Sequence, residues 1–119
     1  MARRQATIER REDLFKEAAD IIAREYADDL DLEGLARRIA ASRRQLQRAF
    51  AEVGHTSFRL YLAGVRMQRA AELLEDGALP VRDVASSVGY RQPAQFAKAF
   101  RRHLGAAPSA FRRRDPVPA

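Results

Sequence analysis

Three polar side chains near the middle of the chain, Arg44, Gln47 and Arg48, have a spacing that would place them together on one face of a helix. Arginine can pair bidentately with guanine O6 and N7, and glutamine can pair in the same way with adenine N6 and N7. Just ahead of them, Ser42 and Arg43 are better placed for phosphate, because a helix start also offers backbone N–H groups to an anion. The chemistry that these residue types suggest is recognition of nucleic acid.

A second polar set follows about 50 residues later and has a similar pattern. Gln95 and Lys98 are three residues apart, and Arg101 and Arg102 extend the same helical edge. Arg101 and Arg102 lie further along the predicted helix, where contact with phosphate is the more natural role.

The remaining reactive side chains form no catalytic or metal-binding pattern. The chain has no cysteine, and His55 and His103 are 48 positions apart without a suitable ligand spacing around them. Ser42 has no histidine and acid pattern to activate it as a nucleophile, and no glycine-rich phosphate loop occurs. The sequence therefore predicts no enzyme activity, no metal and no cofactor.

Charge and composition narrow the class of partner. The 119 residues carry a net charge of +6 with a pI near 10.7, and 46% of them are hydrophobic. Residues 1–11 have a net charge of +3, and residues 91–119 have a net charge of +6. A basic domain of this size makes nucleic acid the first partner to test and an acidic membrane surface the second. No apolar run approaches the roughly 20 residues of a membrane span, so the expected location is the cytoplasm, on the bacterial nucleoid.

These side chains must be positioned by helices, because apolar residues recur at helical spacing and strand-like alternation is missing. Asp31 and Ser42 can cap helices, and Gln45 completes a capping box with Ser42. Gly54, Gly77 and Gly105 are placed to end helices, while Pro80, Pro93 and Pro108 are placed to start them. The predicted fold is all-α with about seven helices, at residues 8–27, 32–40, 43–53, 57–76, 81–88, 93–104 and from 108 onward.

An internal repeat relates four of these helices as two pairs. Leu35-Ala36, Ile39 and the pair Leu46/Phe50 return as Val84-Ala85, Val88 and the pair Phe96/Phe100, at an offset of 49 residues before the turn and 50 after it. Each copy predicts a short helix, a tight turn and a longer helix with a polar, basic outer edge. This is the pattern of a helix-turn-helix, whose second helix fits the major groove of DNA.

Beyond the repeat, a set of individual residues marks the chain. They are Leu35-Ala36, Ser42, Leu46, Arg48, Phe50, Gly54, Phe58, Tyr61-Leu62, Arg66, Ala70, Leu73-Leu74, Val84-Ala85, Val88-Gly89-Tyr90, Phe96, Phe100-Arg101, Gly105, Pro108 and Phe111-Arg112. With these residues the chain resembles the DNA-binding domain of AraC/XylS-type transcription regulators over about residues 14–113. The resemblance implies two helix-turn-helix subdomains, residues 8–56 and 77–114, joined by a long linker helix at 57–76. The last five residues, 115–119, contain two prolines and are predicted to form a frayed tail.

The resemblance also implies roles for individual residues. Base-reading positions carry over to Arg44, Gln47 and Arg48 on the first recognition helix, about 43–53, and to Gln95, Ala97 and Lys98 on the second, about 93–104. The second helix departs from the usual polar start, because Gln92-Pro93-Ala94 offers few donors, so we expect it to make fewer base contacts. The phosphate-contacting set is predicted to be Ser42, Arg43, Gln92, Arg101, Arg102 and Arg112.

The function implied is a sequence-specific double-stranded DNA-binding regulator, expected to be an activator. It would insert both recognition helices into major-groove segments on one face of the DNA, as a monomer on an asymmetric site, and would contact RNA polymerase. Two alternatives stay open at this point. The chain could be a basic helical protein-interaction module without base specificity, or a DNA-binding fragment of a larger effector-responsive regulator.

Overall fold

The computed structural model describes residues 2–112, and within that range the chain forms seven α-helices and no strand. The all-α, seven-helix prediction is confirmed. The predicted frayed tail, together with Arg113 and Arg114 of the last basic run, lies outside the described residues. The helices are α1 (Ala2–Glu25), α2 (Leu32–Arg38), α3 (Arg43–Glu52), α4 (Phe58–Asp76), α5 (Val81–Ser87), α6 (Pro93–Leu104) and α7 (Pro108–Phe111).

Helix α1 begins at Ala2, whereas the sequence predicted a start near Ile8. The prediction placed the start at the first apolar residue of the helical pattern, but the preceding residues are also compatible with a helix. The Gln5 side chain donates to Glu9 Oε1 at 3.2 Å, and the Thr7 hydroxyl donates to the Arg3 carbonyl at 2.9 Å. Both contacts join residues four positions apart, which are neighbours on a helix surface. The arginines near the N-terminus are therefore carried on a helix.

The chain divides into two compact units, with the boundary between residues 62 and 63, inside α4. In the first unit, Phe50 of α3 is fully buried and forms the centre of an aromatic cluster. Its ring meets those of Phe15, Phe58 and Tyr61 edge-on, with centroids 5.3, 5.9 and 5.6 Å away. Such edge-to-face pairs stabilise a core beyond the apolar area they bury. The other fully buried large side chains of this unit are Leu14, Ile22, Leu35 and Leu46.

The second unit has its own aromatic core. Phe96 and Phe100 of α6 are fully buried, with their ring centroids 5.7 Å apart. Phe100 also meets Phe111 of α7 at 5.1 Å, and Phe96 meets Tyr90 at 5.7 Å. Tyr90 is half-buried, with the Arg66 guanidinium carbon 5.7 Å from its ring centroid, so its ring packs within the unit. The predicted subdomain boundaries at 56/57 and 76/77 stay a prediction.

The two predicted helix-turn-helix turns have the same backbone hydrogen bonds. The Ala41 N–H donates to the Ala36 carbonyl at 2.9 Å, and the Tyr90 N–H donates to the Ala85 carbonyl at the same distance. Ala36 and Ala85 are each 1% exposed, so each lies enclosed within its hairpin, where a small residue is required. The turn residues that differ are Ala40, with φ of 56°, and its counterpart Gly89, with φ of 100°. The internal repeat read from the sequence is therefore a repeat of backbone geometry.

The different residues at these two turns give a stability prediction. The left-handed region costs an L-residue roughly 1–2 kcal/mol but costs glycine almost nothing. We expect Ala40→Gly to raise the free energy of unfolding by about 0.5–1 kcal/mol, since part of the relief is lost to the greater freedom of glycine in the unfolded chain. The matched control is Gly89→Ala, which should lower it by about 1–2 kcal/mol. Urea denaturation followed by circular dichroism measures both, and a destabilised Ala40→Gly protein would contradict the strain argument.

Gly54 was predicted to end the third helix, and the structure gives it a different role. Helix α3 ends at Glu52, and the left-handed residue beyond it is His55, with φ of 53°. A Cβ atom on Gly54 would lie 2.6 Å from Phe15 Cε1 and 2.9 Å from the Phe50 carbonyl oxygen. Gly54 therefore allows α1 to approach the end of α3 closely enough for the Phe15 and Phe50 rings to meet.

Candidate nucleic-acid interface

Helix α3 has a well-defined start, because its first turn is closed by a capping box. The Gln45 backbone N–H donates to Ser42 Oγ at 3.0 Å, and the Ser42 backbone N–H donates to Gln45 Oε1 at 2.8 Å. The predicted capping box is confirmed. The Ser42 oxygen accepts in this arrangement, so the hydroxyl hydrogen remains available to donate to an anion.

The four polar side chains predicted on the outer edge of α3 are all exposed. Leu46, Ala49 and Phe50 are buried, which fixes the rotation of the helix and turns the opposite edge to solvent. These outer side chains make no hydrogen bond or ion pair with any residue in the range 2–112. Their donors are therefore available to a partner molecule. The exposed residues are Arg43, Arg44, Gln47 and Arg48.

Helix α6 presents a similar edge with a weaker start. Pro93 occupies its first turn, and Gln92 at the N-cap makes no side-chain capping hydrogen bond. Proline removes one of the backbone donors that a helix start would offer to a phosphate. Ala97 is half-buried, as is Arg112 just after α7. The other predicted contact residues of this unit, Gln92, Gln95, Lys98, Arg101 and Arg102, are exposed.

Two arginines of the basic segments are engaged with carboxylates of the same unit. Arg38 donates through both terminal nitrogens to Glu25, at 2.7 Å for each contact, and Arg11 pairs with Glu52. The hydrogen bonds from Arg38 lower the pKa of Glu25 below its usual value, and the same contact raises the pKa of Arg38. Arg38 is one of five arginines between residues 37 and 48, and this ion pair neutralises its charge within the unit.

An open groove separates the N-terminal half of α1 from α3. Arg10 and Arg11 of α1 line it together with Ser42, Arg44 and Arg48 of the α3 region. Sequence reasoning assigned no role to Arg10, because the approach of α1 to α3 joins residues more than 30 positions apart. The signal that was available is the net charge of +3 over residues 1–11.

Comparison with known proteins decides the family. A family described as a helix-turn-helix domain, of AraC type, matches residues 35–114, which is more than half of the chain. The chain belongs to the AraC-type helix-turn-helix family. This is a family of DNA-binding transcription regulators and not of enzymes, as the sequence predicted. None of the helices described in this AraC-type chain is long and apolar enough to cross a membrane.

Three relatives illustrate the similarity. The Msm operon regulatory protein of Streptococcus mutans is 33% identical over 93 residues, which cover 78% of this chain and 34% of that protein. The C-terminal domain of AraT, a response regulator from Geobacillus stearothermophilus, has a TM-score of 0.82 at 29% identity and covers 89% of this chain and 91% of that one. The DNA-binding domain of AdpA, solved in complex with a target DNA, has a TM-score of 0.74 at 32% identity, covering 82% of this chain and 87% of that one.

The AraC-type chain spans only about a third of the length of the curated relatives it matches. The match to the family begins inside α2 and includes α3, α5 and α6. The similarity therefore concerns the DNA-binding region of those regulators.

Proposed function

We propose that this AraC-type chain binds double-stranded DNA sequence-specifically and regulates transcription, with α3 and α6 each entering a major-groove segment. The observation that carries the proposal is the repeated hairpin. Two turns with matching hydrogen bonds each lead into a helix whose apolar edge is buried and whose basic edge is exposed. An α-helix with such an edge fits the major groove and brings its side chains to the base edges.

The roles of the α3 side chains follow from their chemistry. We propose that Arg44 and Arg48 read guanines and that Gln47 reads an adenine, since all three are exposed and unengaged within residues 2–112. Ser42 and Arg43 lie at the start of the same helix, where the N-terminal N–H groups favour phosphate. The specificity of the first unit would then come from three neighbouring side chains.

Helix α6 is proposed to contribute fewer base contacts than α3. Gln95 and Lys98 are exposed and able to reach bases, whereas Ala97 is half-buried and offers only a methyl group. Such a methyl group can contact the methyl group of a thymine. Phosphate contacts from Gln92, Arg101, Arg102 and Arg112 would supply most of the remaining affinity of this unit.

The protein partners and the regulatory direction complete the proposal. We propose a monomer that binds an asymmetric site on the nucleoid, with α3 and α6 on one face of the DNA, and activates transcription through RNA polymerase. Exposed acids on α1, among them Glu12, Asp13 and Glu17, offer a surface of opposite charge to the DNA-binding edges. Alanine variants of these acids should leave the affinity for DNA unchanged and reduce transcription from a target promoter.

Replacing Arg48 tests base reading directly. We expect Arg48→Ala to lose roughly 1–3 kcal/mol of discrimination at one base pair, about 5- to 150-fold, because one bidentate contact is removed. The measurement is competition binding against single-base variants of a duplex chosen by selection from random sequences. Arg43→Ala is the matched control, since loss of a phosphate contact should weaken all sequences alike.

The outcomes of this experiment separate the candidate functions. An unchanged preference profile for Arg48→Ala would remove Arg48 from the base-reading set. A wild-type protein without any base preference would instead support the basic protein-interaction module. A selected site with two conserved blocks about 10 base pairs apart and without two-fold symmetry would support a monomer using both hairpins.

A further inference from the structure

Positive charge is concentrated in the groove between α1 and α3, and only part of it belongs to the side chains that are proposed to contact bases. It has a volume of about 440 Å³ and is open to solvent on one side. Four of the side chains that line it are arginines, Arg10 and Arg11 from α1 and Arg44 and Arg48 from α3, and no acid lines it. The neutral members of its lining are Ala6, Thr7, Leu14, Ser42 and Gln45.

Three of these four charges have no counter-ion within residues 2–112. Arg11 pairs with Glu52, which lies outside the lining of the groove. Arg10, Arg44 and Arg48 are exposed and form no ion pair with any described residue. Like charges held around one space repel each other, and an anion between them relieves that repulsion. The chemistry of the groove is therefore that of an anion site with planar, forked donors, which match the geometry of phosphate.

The position of the groove indicates which anion it would take. Arg44 and Arg48 belong both to the groove and to the outer edge of α3, so a duplex seated on that edge lies beside the groove. The major groove of DNA is bordered by phosphates, and a helix lying in it has a phosphate strand along each flank. The Ser42 hydroxyl, whose hydrogen is not used in the capping box, adds a neutral donor at the same place.

We propose that this groove holds a backbone phosphate of the strand that borders the α3 site, and that Arg10 of α1 contacts this phosphate. The proposal rests on the proposed function of α3 and extends the DNA interface to a third helix. The start of α1 at Ala2 supports such a contact, because a helix that began near Ile8 would leave Arg10 in a fraying first turn.

The test compares Arg10→Ala with Arg24→Ala, an equal change of charge at another exposed arginine of α1 that lies outside this groove. The affinity of each protein for the selected duplex is measured between 50 and 200 mM salt. We expect Arg10→Ala to reduce the slope of log affinity against log salt by about 0.9, the value for one phosphate contact, with an unchanged order of base preferences. Arg24→Ala should retain the wild-type slope.

Neutral phosphate analogues locate the contact. Single methylphosphonate substitutions in the duplex should include one flanking position that weakens the wild-type protein and has no effect on Arg10→Ala. Equal slopes for the two variants, or an equal response to every methylphosphonate, would overturn the proposal. The base preferences of the wild-type protein report separately on the proposed function, which would stand if they persist.

A further arm distinguishes bound DNA from a free anion. Inorganic phosphate is titrated into the protein without DNA, and the chemical shifts of Thr7, Ser42 and Arg48 are followed by NMR. Saturation at micromolar phosphate that Arg10→Ala abolishes, together with an unchanged salt slope for DNA, would assign the groove to a soluble anion and overturn the DNA contact. Weak, unsaturated shifts together with the reduced slope support it.

Discussion

Replacing Phe50 by alanine is expected to lower the free energy of unfolding by about 3–5 kcal/mol. The ring of Phe50 is fully buried and meets three other rings, those of Phe15, Phe58 and Tyr61, at 5.3 to 5.9 Å. Its removal would leave a cavity between three helices that cannot collapse without moving α1 and α4. The loss is large beside the 5–15 kcal/mol that stabilises a typical domain, and it is measured by urea denaturation with fluorescence and circular dichroism.

Two further variants keep this prediction testable if Phe50→Ala does not fold. Phe50→Leu retains part of the buried volume and should show an intermediate loss. Leu60→Ala is the surface control, because Leu60 is 55% exposed and its truncation should change stability by no more than about 0.5 kcal/mol. Equal losses for Phe50→Leu and Leu60→Ala would contradict the central packing role of Phe50.

The affinity for DNA is expected to fall by roughly 10³- to 10⁵-fold between 50 and 200 mM salt. This estimate assumes about 6–10 phosphate contacts, each of which releases condensed counterions when the complex forms. The chain has the side chains for such a number, since the proposed phosphate contacts from both units come in addition to exposed arginines on α3. Fluorescence anisotropy of a labelled duplex across the salt range measures the slope.

The salt titration also needs a control for the protein itself. Circular dichroism at each salt concentration should show an unchanged helix content, so that the loss of affinity reports on the complex and not on unfolding. A flat dependence of affinity on salt would contradict both the nucleic-acid interface and the phosphate groove between α1 and α3.

The local features of the fold could be predicted closely from the sequence. The start of α3 followed from Ser42 and Gln45, and the ends of α4 and α6 followed from Gly77 and Gly105, which adopt φ of 78° and 80°. Capping and helical periodicity depend on residues within one or two turns of each other, so these patterns are visible in a linear chain. The repeat of the hairpins was readable for the same reason.

The errors in the predicted helix ends have equally local causes. Helix α1 was predicted too short because Ile8 is the first of its residues that is apolar and larger than alanine, and the periodic pattern is weak ahead of it. The role of Gly54 was misread because the side chain that leaves no room for a Cβ atom there is that of Phe15, which is distant in sequence.

The amino-acid sequence by itself determined the seven helices, the duplicated hairpin and the exposed edges of α3 and α6, because all of these arise from contacts between near neighbours along the chain. Only the tertiary structure decided which charges are free. Arg38 meets Glu25 across 13 residues and Arg11 meets Glu52 across 41, while Arg10 is brought to the side of Arg48 without a partner in the described chain. Ion pairs depend on distance in space, and helix packing sets those distances.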